Sequence, residues 1–144
     1  ISGEVSTVAE CSERLTKAGA KRVLPLNVSG AFHSPLLEAA SRKMAAHLAT
    51  ARYQTGTMTV FSNVTAQPGK DWPNLLERQL KSPVRWTESI QNMVVSGATT
   101  FIECGHGSVL SCLSKRSAPV ARILAVNDLE SLEKTVAVLE GATV

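Results

Sequence analysis

The 144-residue chain is 44% hydrophobic and 19% charged with a net charge of +3, the balance of a globular domain and not of a disordered tail. A chain of this length buries about 70% of its unfolded surface, and with aromatic residues at only 4% its core must be aliphatic. The positive charge lacks the basic clusters and interleaved aromatics of nucleic-acid binding, and no apolar run nears the ~20 residues of a membrane span. The three cysteines, Cys11, Cys104 and Cys112, have no metal-ligand spacing and read as free thiols of a reducing compartment. The first residues show no signal-peptide pattern. Ile1-Ser2-Gly3 reads as the end of a strand already under way, so a piece of a longer protein is expected.

The spacing of Val5, Val8, Ala9 and Leu15 predicts a helix over Val5–Ala18, stopped by Gly19. A strand over Arg22–Val28 follows, with Pro25 suiting an edge position. Ser34 as N-cap and Pro35 at the first helical position open a second helix to about Ala51. Met58–Val64 alternates as a strand, and the segment 65–70 reads as a loop. Asp71 and Pro73 start a short helix to about Leu80, which Pro83 breaks. A helix over Thr87–Ser96, a strand over Thr99–Cys104 and a helix through Arg116 come next. A strand over Ala121–Val126 and a helix over Asp128–Glu140 finish the chain, with Asn127 and Glu130 forming a capping-box-like start. Strands and helices alternating at these lengths predict an α/β fold with mostly parallel strands. The first 30 or so residues read as a smaller, separate layer.

Few residues in this framework suit chemistry. His33 ends a strand-to-helix connection, the rim of an α/β fold where catalytic groups collect, and an imidazole moves protons near neutral pH. A helix-entry histidine that only bonds backbone is the plainer alternative. Gln79 follows Leu75 and Leu76 on an apolar stripe. It either reaches water at the stripe's margin or orients a histidine by accepting its Nδ1–H, as an Asp does in a triad. Cys104, inside a predicted strand, is expected to be a buried, inert thiol. His47 is expected to be solvated and His106 to be exposed loop. Gly105 and Gly107 fail the dinucleotide fingerprint, whose third glycine would fall at Leu110, and are expected to serve close backbone approach. Lys115 and Arg116 end a helix, where cations complement the dipole; docking of an acidic protein is the sharper alternative.

Four blocks read together resemble one family. They are Ala31-Phe32-His33-Ser34-Pro35, Phe61-Ser62-Asn63-Val64-Thr65, Gln79-Leu80-Lys81-Ser82-Pro83-Val84-Arg85-Trp86 and Phe101-Ile102-Glu103-Cys104-Gly105-His106-Gly107-Ser108-Val109-Leu110. Their order and spacing are similar to those of malonyl-CoA:acyl-carrier-protein transacylases, the acyltransferases that load malonyl groups in fatty-acid biosynthesis. The resemblance implies part of a hydrolase-like parallel-sheet large subdomain (residues 31–144) and the second half of a small ferredoxin-like subdomain (residues 1–30). It implies His33 as catalytic base and acid, Gln79 holding it through side chain or backbone carbonyl, and Phe32 crowding the α-methyl of methylmalonyl-CoA. One methyl is worth only ~1–3 kcal/mol.

The implied reaction is a ping-pong transfer of malonyl from a coenzyme A thioester to the pantetheine thiol of acyl carrier protein, with no resident cofactor and no metal. No nucleic acid and no membrane enter as partners, and bacterial cytoplasm or plastid would fit. The family's Gly-Pro-Gly turn is Gly105-His106-Gly107 here. The nucleophile elbow, the carboxylate-gripping arginine and the oxyanion-hole loop belong to the family's N-terminal half, so the missing half is an expected partner and this chain alone is expected to be inactive. Two rivals stay open: an acyltransferase domain of a polyketide synthase, and a non-catalytic module binding an acidic carrier protein through Lys17, Lys21, Arg22, Lys115 and Arg116.

Overall fold

A computed structural model describes residues 1–54 and 56–141 as an α/β protein whose contacts group into two compact units, Ile1–Val84 and Arg85–Val144. The first unit holds α1 (Val5–Lys17), α2 (Glu38–Thr50), preceded by a single 3₁₀ turn at Pro35–Leu37, and α3 (Trp72–Gln79). Asp71 caps α3 by accepting from the Asn74 N–H at 3.4 Å, with Pro73 in the first turn. The α2 and α3 helices pack together, and Ser41, fully buried at 0% exposure, spans them by donating its hydroxyl to the Glu77 carbonyl at 3.0 Å. No residue of the predicted α1 stripe is fully buried: Val8 is half-buried, and Val5 is 87% and Leu15 42% exposed.

Two expected strands of this unit do not form. Residues 22–28 have no ladder partner among the described residues. Pro25 lacks a donor, the Val28 N–H turns back to the Leu26 carbonyl at 3.0 Å, and Leu24, Leu26 and Val28 all face solvent. The segment from Met58 to Val64 is replaced by a tight reversal. Phe61 makes one antiparallel bridge to Pro68, which has no N–H to extend a ladder. The buried Ser62 hydroxyl accepts from the Val64 N–H at 3.2 Å, drawing the backbone into a turn instead of a strand. Gly69 closes this reversal under the ring of Trp72. A Cβ there would lie 2.6 Å from Trp72 Cζ2 and 2.9 Å from Leu75 Cδ1. We therefore expect Gly69→Ala to destabilise the protein by about 1–3 kcal/mol, read as a lower urea midpoint; an unchanged midpoint would mean the ring has room to move.

The second unit is an alternating α/β arrangement: α4 (Trp86–Val95), β1 (Thr100–Cys104), α5 (Val109–Ser117), β2 (Arg122–Val126) and α6 (Leu129–Leu139). The two strands pair in parallel with Thr100 opposite Arg122 and Cys104 opposite Val126. Ile90 of α4, 2% exposed, is the most buried large aliphatic residue of this unit. It lines a half-open cleft of about 160 Å³ with Trp86, Phe101 and Ser111. The α6 cap is displaced by one residue from expectation. Asp128, not Asn127, holds the extended N-cap conformation and accepts from the Ser131 N–H at 2.8 Å, while the Ser131 hydroxyl accepts from the Asp128 N–H. Cys104 is exposed, against the expected buried thiol, because it closes the short β1 where the chain leaves the sheet. Gly105 and Gly107 have φ of +127° and +93° with open space where a Cβ would sit. Backbone conformation, and not close approach, requires glycine there.

Ser108 makes no side-chain cap for α5; Glu103 on β1 takes that place, accepting from the Leu110 N–H at 3.1 Å and the Ser111 N–H at 2.8 Å. The adjacent Ser111 side chain biases the charge without hydrogen-bonding geometry, and together with these N–H groups it holds the Glu103 carboxyl below its ordinary value. A carboxylate favoured in the folded state stabilises fully above the unfolded value, and that stabilisation is withdrawn as pH falls through the lower, folded value. Stability should thus decline below about pH 4.5, the ordinary value for this group. Glu103→Gln should flatten that part of the decline in urea midpoints measured against pH; the same slope in both proteins would remove Glu103 as a contributor.

Candidate active site

The His33 loop is fixed before the imidazole is considered. Ser34, 4% exposed, donates its hydroxyl to the Ala31 carbonyl at 2.7 Å and accepts from the Leu36 N–H at 3.3 Å. Pro35 begins the 3₁₀ turn, so the chain bends sharply just before it. The bend falls on His33 itself, whose φ of +60° is a left-handed conformation uncommon outside glycine but better tolerated by His than by most residues.

The C-terminus of α3 meets this bend. The last carbonyls of a helix lack intrahelical partners, and here the sequence prolongs that deficiency. The residue four beyond Gln79 is Pro83, which has no N–H to offer, and the N–H groups of Lys81 and Ser82 both turn back to the Arg78 carbonyl at 3.2 and 3.0 Å. The His33 segment takes the two carbonyls left over. The His33 N–H donates to the Leu80 carbonyl at 3.1 Å, and His33 Nδ1 lies 3.0 Å from the Gln79 carbonyl oxygen.

A carbonyl oxygen only accepts, so Nδ1 carries the hydrogen and Nε2 keeps its lone pair. The His33 side chain is exposed, which leaves Nε2 accessible to a reacting group. The arrangement therefore orients a base and fixes its tautomer without a buried carboxylate.

His33 and Gln79, separated by 46 positions in sequence, are thus brought together, with the contact running through the main chain of Gln79. Phe32, 47% exposed, adjoins His33 along the same turn. Lys115 and Arg116 are exposed in the last turn of α5, within the other unit. His47 and His106 are exposed. Among the described residues no group of three His, Cys, Asp or Glu side chains could hold a metal ion, and no helix is long and apolar enough to cross a membrane. Sequence reasoning missed the Leu80 carbonyl; its one available signal was Pro83, which deprives the end of α3 of a donor.

Comparison with known proteins identifies the family. The family model described as "Acyl transferase domain" matches residues 1–129. The malonyl CoA-acyl carrier protein transacylase of Bacillus subtilis is 39% identical over 143 residues, covering 97% of this chain and 45% of that protein. The crystal structure of malonyl CoA-acyl carrier protein transacylase from Clostridium perfringens superposes with a TM-score of 0.91 at 33% identity, over 96% of this chain and 44% of that one. A malonyl-transacylase solved in complex with its type II PKS acyl-carrier protein superposes with a TM-score of 0.89 at 35% identity, over 96% of this chain and 45% of that one. The chain thus spans less than half the length of the relatives it matches. With a family match along most of its length, the chain belongs to the acyl transferase domain family.

Proposed function

We propose that this chain supplies the general base of a malonyl-CoA:acyl-carrier-protein transacylase, and that His33 is that base. The observation that carries the reading is the Nδ1–Gln79 carbonyl hydrogen bond of 3.0 Å, which leaves Nε2 free to move protons. In the proposed reaction His33 Nε2 takes the hydroxyl proton of a serine lying outside this chain. The serine oxygen attacks the thioester carbonyl of malonyl-CoA, the carbon–sulfur bond breaks, and the imidazolium returns its proton to the departing coenzyme A thiolate. The resulting malonyl-serine ester is then attacked by the pantetheine sulfur of the carrier protein. Nε2 accepts that thiol's proton and passes it to the released serine. The Nδ1–H stays on the Gln79 carbonyl in both halves, so the ring need not rotate between them.

On the same reading, residues 1–30 belong to a small ferredoxin-like subdomain and 31–144 to a hydrolase-like one, Phe32 disfavours a methylmalonyl group, and no resident cofactor is needed. The proposed setting is the bacterial cytoplasm. Lys115 and Arg116 are proposed to meet the acidic carrier protein. The relative bound to a type II PKS acyl-carrier protein favours one variation, in which the acceptor is a polyketide carrier and the chemistry is unchanged.

The test is intact mass of the full-length protein that carries this chain, before and after incubation with malonyl-CoA and then with holo carrier protein. A malonyl adduct that forms and is discharged to the carrier supports the proposal. A protein that never acquires the adduct overturns it.

A further inference from the structure

A hydrogen bond between an imidazole and a main-chain carbonyl is only as well aimed as the two segments that carry it, and the His33 turn and the end of α3 lie 46 positions apart. A cluster of charges ties those same two segments together. Lys81, which follows the two carbonyls that receive His33, places Nζ 2.9 Å from Glu38 Oε2, in the first turn of α2, and 3.7 Å from Glu77 Oε1. Glu38 is also paired with Arg42 at 3.1 Å, and its carboxyl is held below the ordinary value, by the Lys81 hydrogen bond first and by that of Arg42 second. Alongside, the buried Ser41 hydroxyl takes the Glu77 carbonyl at 3.0 Å.

The consequence is geometric. Three carbonyls near the end of α3, those of Glu77, Gln79 and Leu80, are claimed from the α2 side by Ser41, His33 Nδ1–H and His33 N–H. Lys81 adds a fourth tie between this helix end and the start of α2, through its ion pair with Glu38. Its side chain is 26% exposed, the most sheltered partner in the cluster.

We propose that Lys81, bridging Glu38 and Glu77, is a positioning residue that aims the Gln79 carbonyl at His33 Nδ1 and so keeps the imidazole in its Nδ1–H tautomer. The catalytic half of this proposal rests on His33 being the base of the acyl transfer; the tautomer half does not.

The test uses the full-length protein and the variants Lys81→Met, Lys81→Arg and Glu38→Gln. The imidazole 15N shifts of His33 report the tautomer without reference to activity. In Lys81→Met the Nδ1–H form should give way to the Nε2–H form. The value of kcat for malonyl transfer should fall about 5- to 10-fold, the scale of a partly screened ion pair acting on alignment, with KM held within about 2-fold. Lys81→Arg should restore both readings, and Glu38→Gln should reproduce the defect if the Met variant folds poorly. Raised salt should weaken alignment in the parent protein and leave Lys81→Met unmoved. A Lys81→Met protein that loses stability but keeps its tautomer and kcat would overturn the proposal. If His33→Ala leaves turnover intact, the base assignment falls, while the tautomer measurement still decides whether Lys81 aims the ring.

Discussion

Replacing His33 by alanine in the full-length protein should lower the proposed malonyl transfer to a carrier protein by about 10²–10⁴-fold, the range for loss of a general acid–base group. The loss is expected in kcat, because in the proposed mechanism Nε2 acts on protons in flight and not on the bound thioester. The left-handed backbone at His33, with φ of +60°, makes the alanine variant an imperfect control by itself. His33→Asn supplies the better one, since asparagine tolerates this conformation and retains a polar side chain without an imidazole base. Both variants should keep the melting behaviour of the parent to within a few degrees while losing turnover alike. Gln79→Ala should behave quite differently. Its contact with His33 runs through the main-chain carbonyl, so removal of the side chain should leave kcat within about 3-fold of the parent, below the scale of one net hydrogen bond. A large loss in Gln79→Ala would return the orienting role to the amide.

The second large effect is expected on stability. Ile90 is 2% exposed and lies against a cleft that already holds about 160 Å³ of space beside Trp86 and Ser111. Truncation to alanine removes apolar contacts and joins new volume to the old. We expect Ile90→Ala to cost about 2–4 kcal/mol, toward the lower end of the Ile→Ala range because the cleft is open enough for water to enter. Chemical denaturation should report it as a lower midpoint with little change in slope. Ile90→Val, which keeps the β-branch and removes one methyl, should cost about 0.5–1.5 kcal/mol; equal losses in both variants would mean that the terminal methyl alone carries the packing here.

How much of this was legible beforehand varies with the kind of signal. Helices with caps and period were readable: α3 begins where Asp71 and Pro73 predict and ends before Pro83, and β1, α5 and β2 fall within a residue or so of expectation. Strands were readable only where a partner exists. The segment from Arg22 to Val28 has β-prone residues but no ladder, and pairing is a property of two segments that one segment's pattern does not contain. The reversal around Ser62 was missed because a single hydroxyl bond to Val64 outweighs apolar alternation over so few residues. At the candidate site, residue types pointed to His33 and Gln79, but the atom that matters on Gln79 is common to every amino acid. Side-chain reasoning has no purchase on it. What marks the position is Pro83, four residues later, through the donor it withholds.

The way His33 is held also bears on when the site comes into being. Neither hydrogen bond to the ring or to its amide is local: the partners, Gln79 and Leu80, come into reach only after α2 and α3 have closed a long intervening loop. Contacts of such separation pay their loop entropy before they return anything, so they form late in folding. They are also among the first released when a helix end opens locally. Competence in proton transfer would then be a sensitive gauge of native order in this unit. A population with full helical content but an undocked α3 would have the right residues, the right secondary structure and an imidazole free to choose the wrong tautomer.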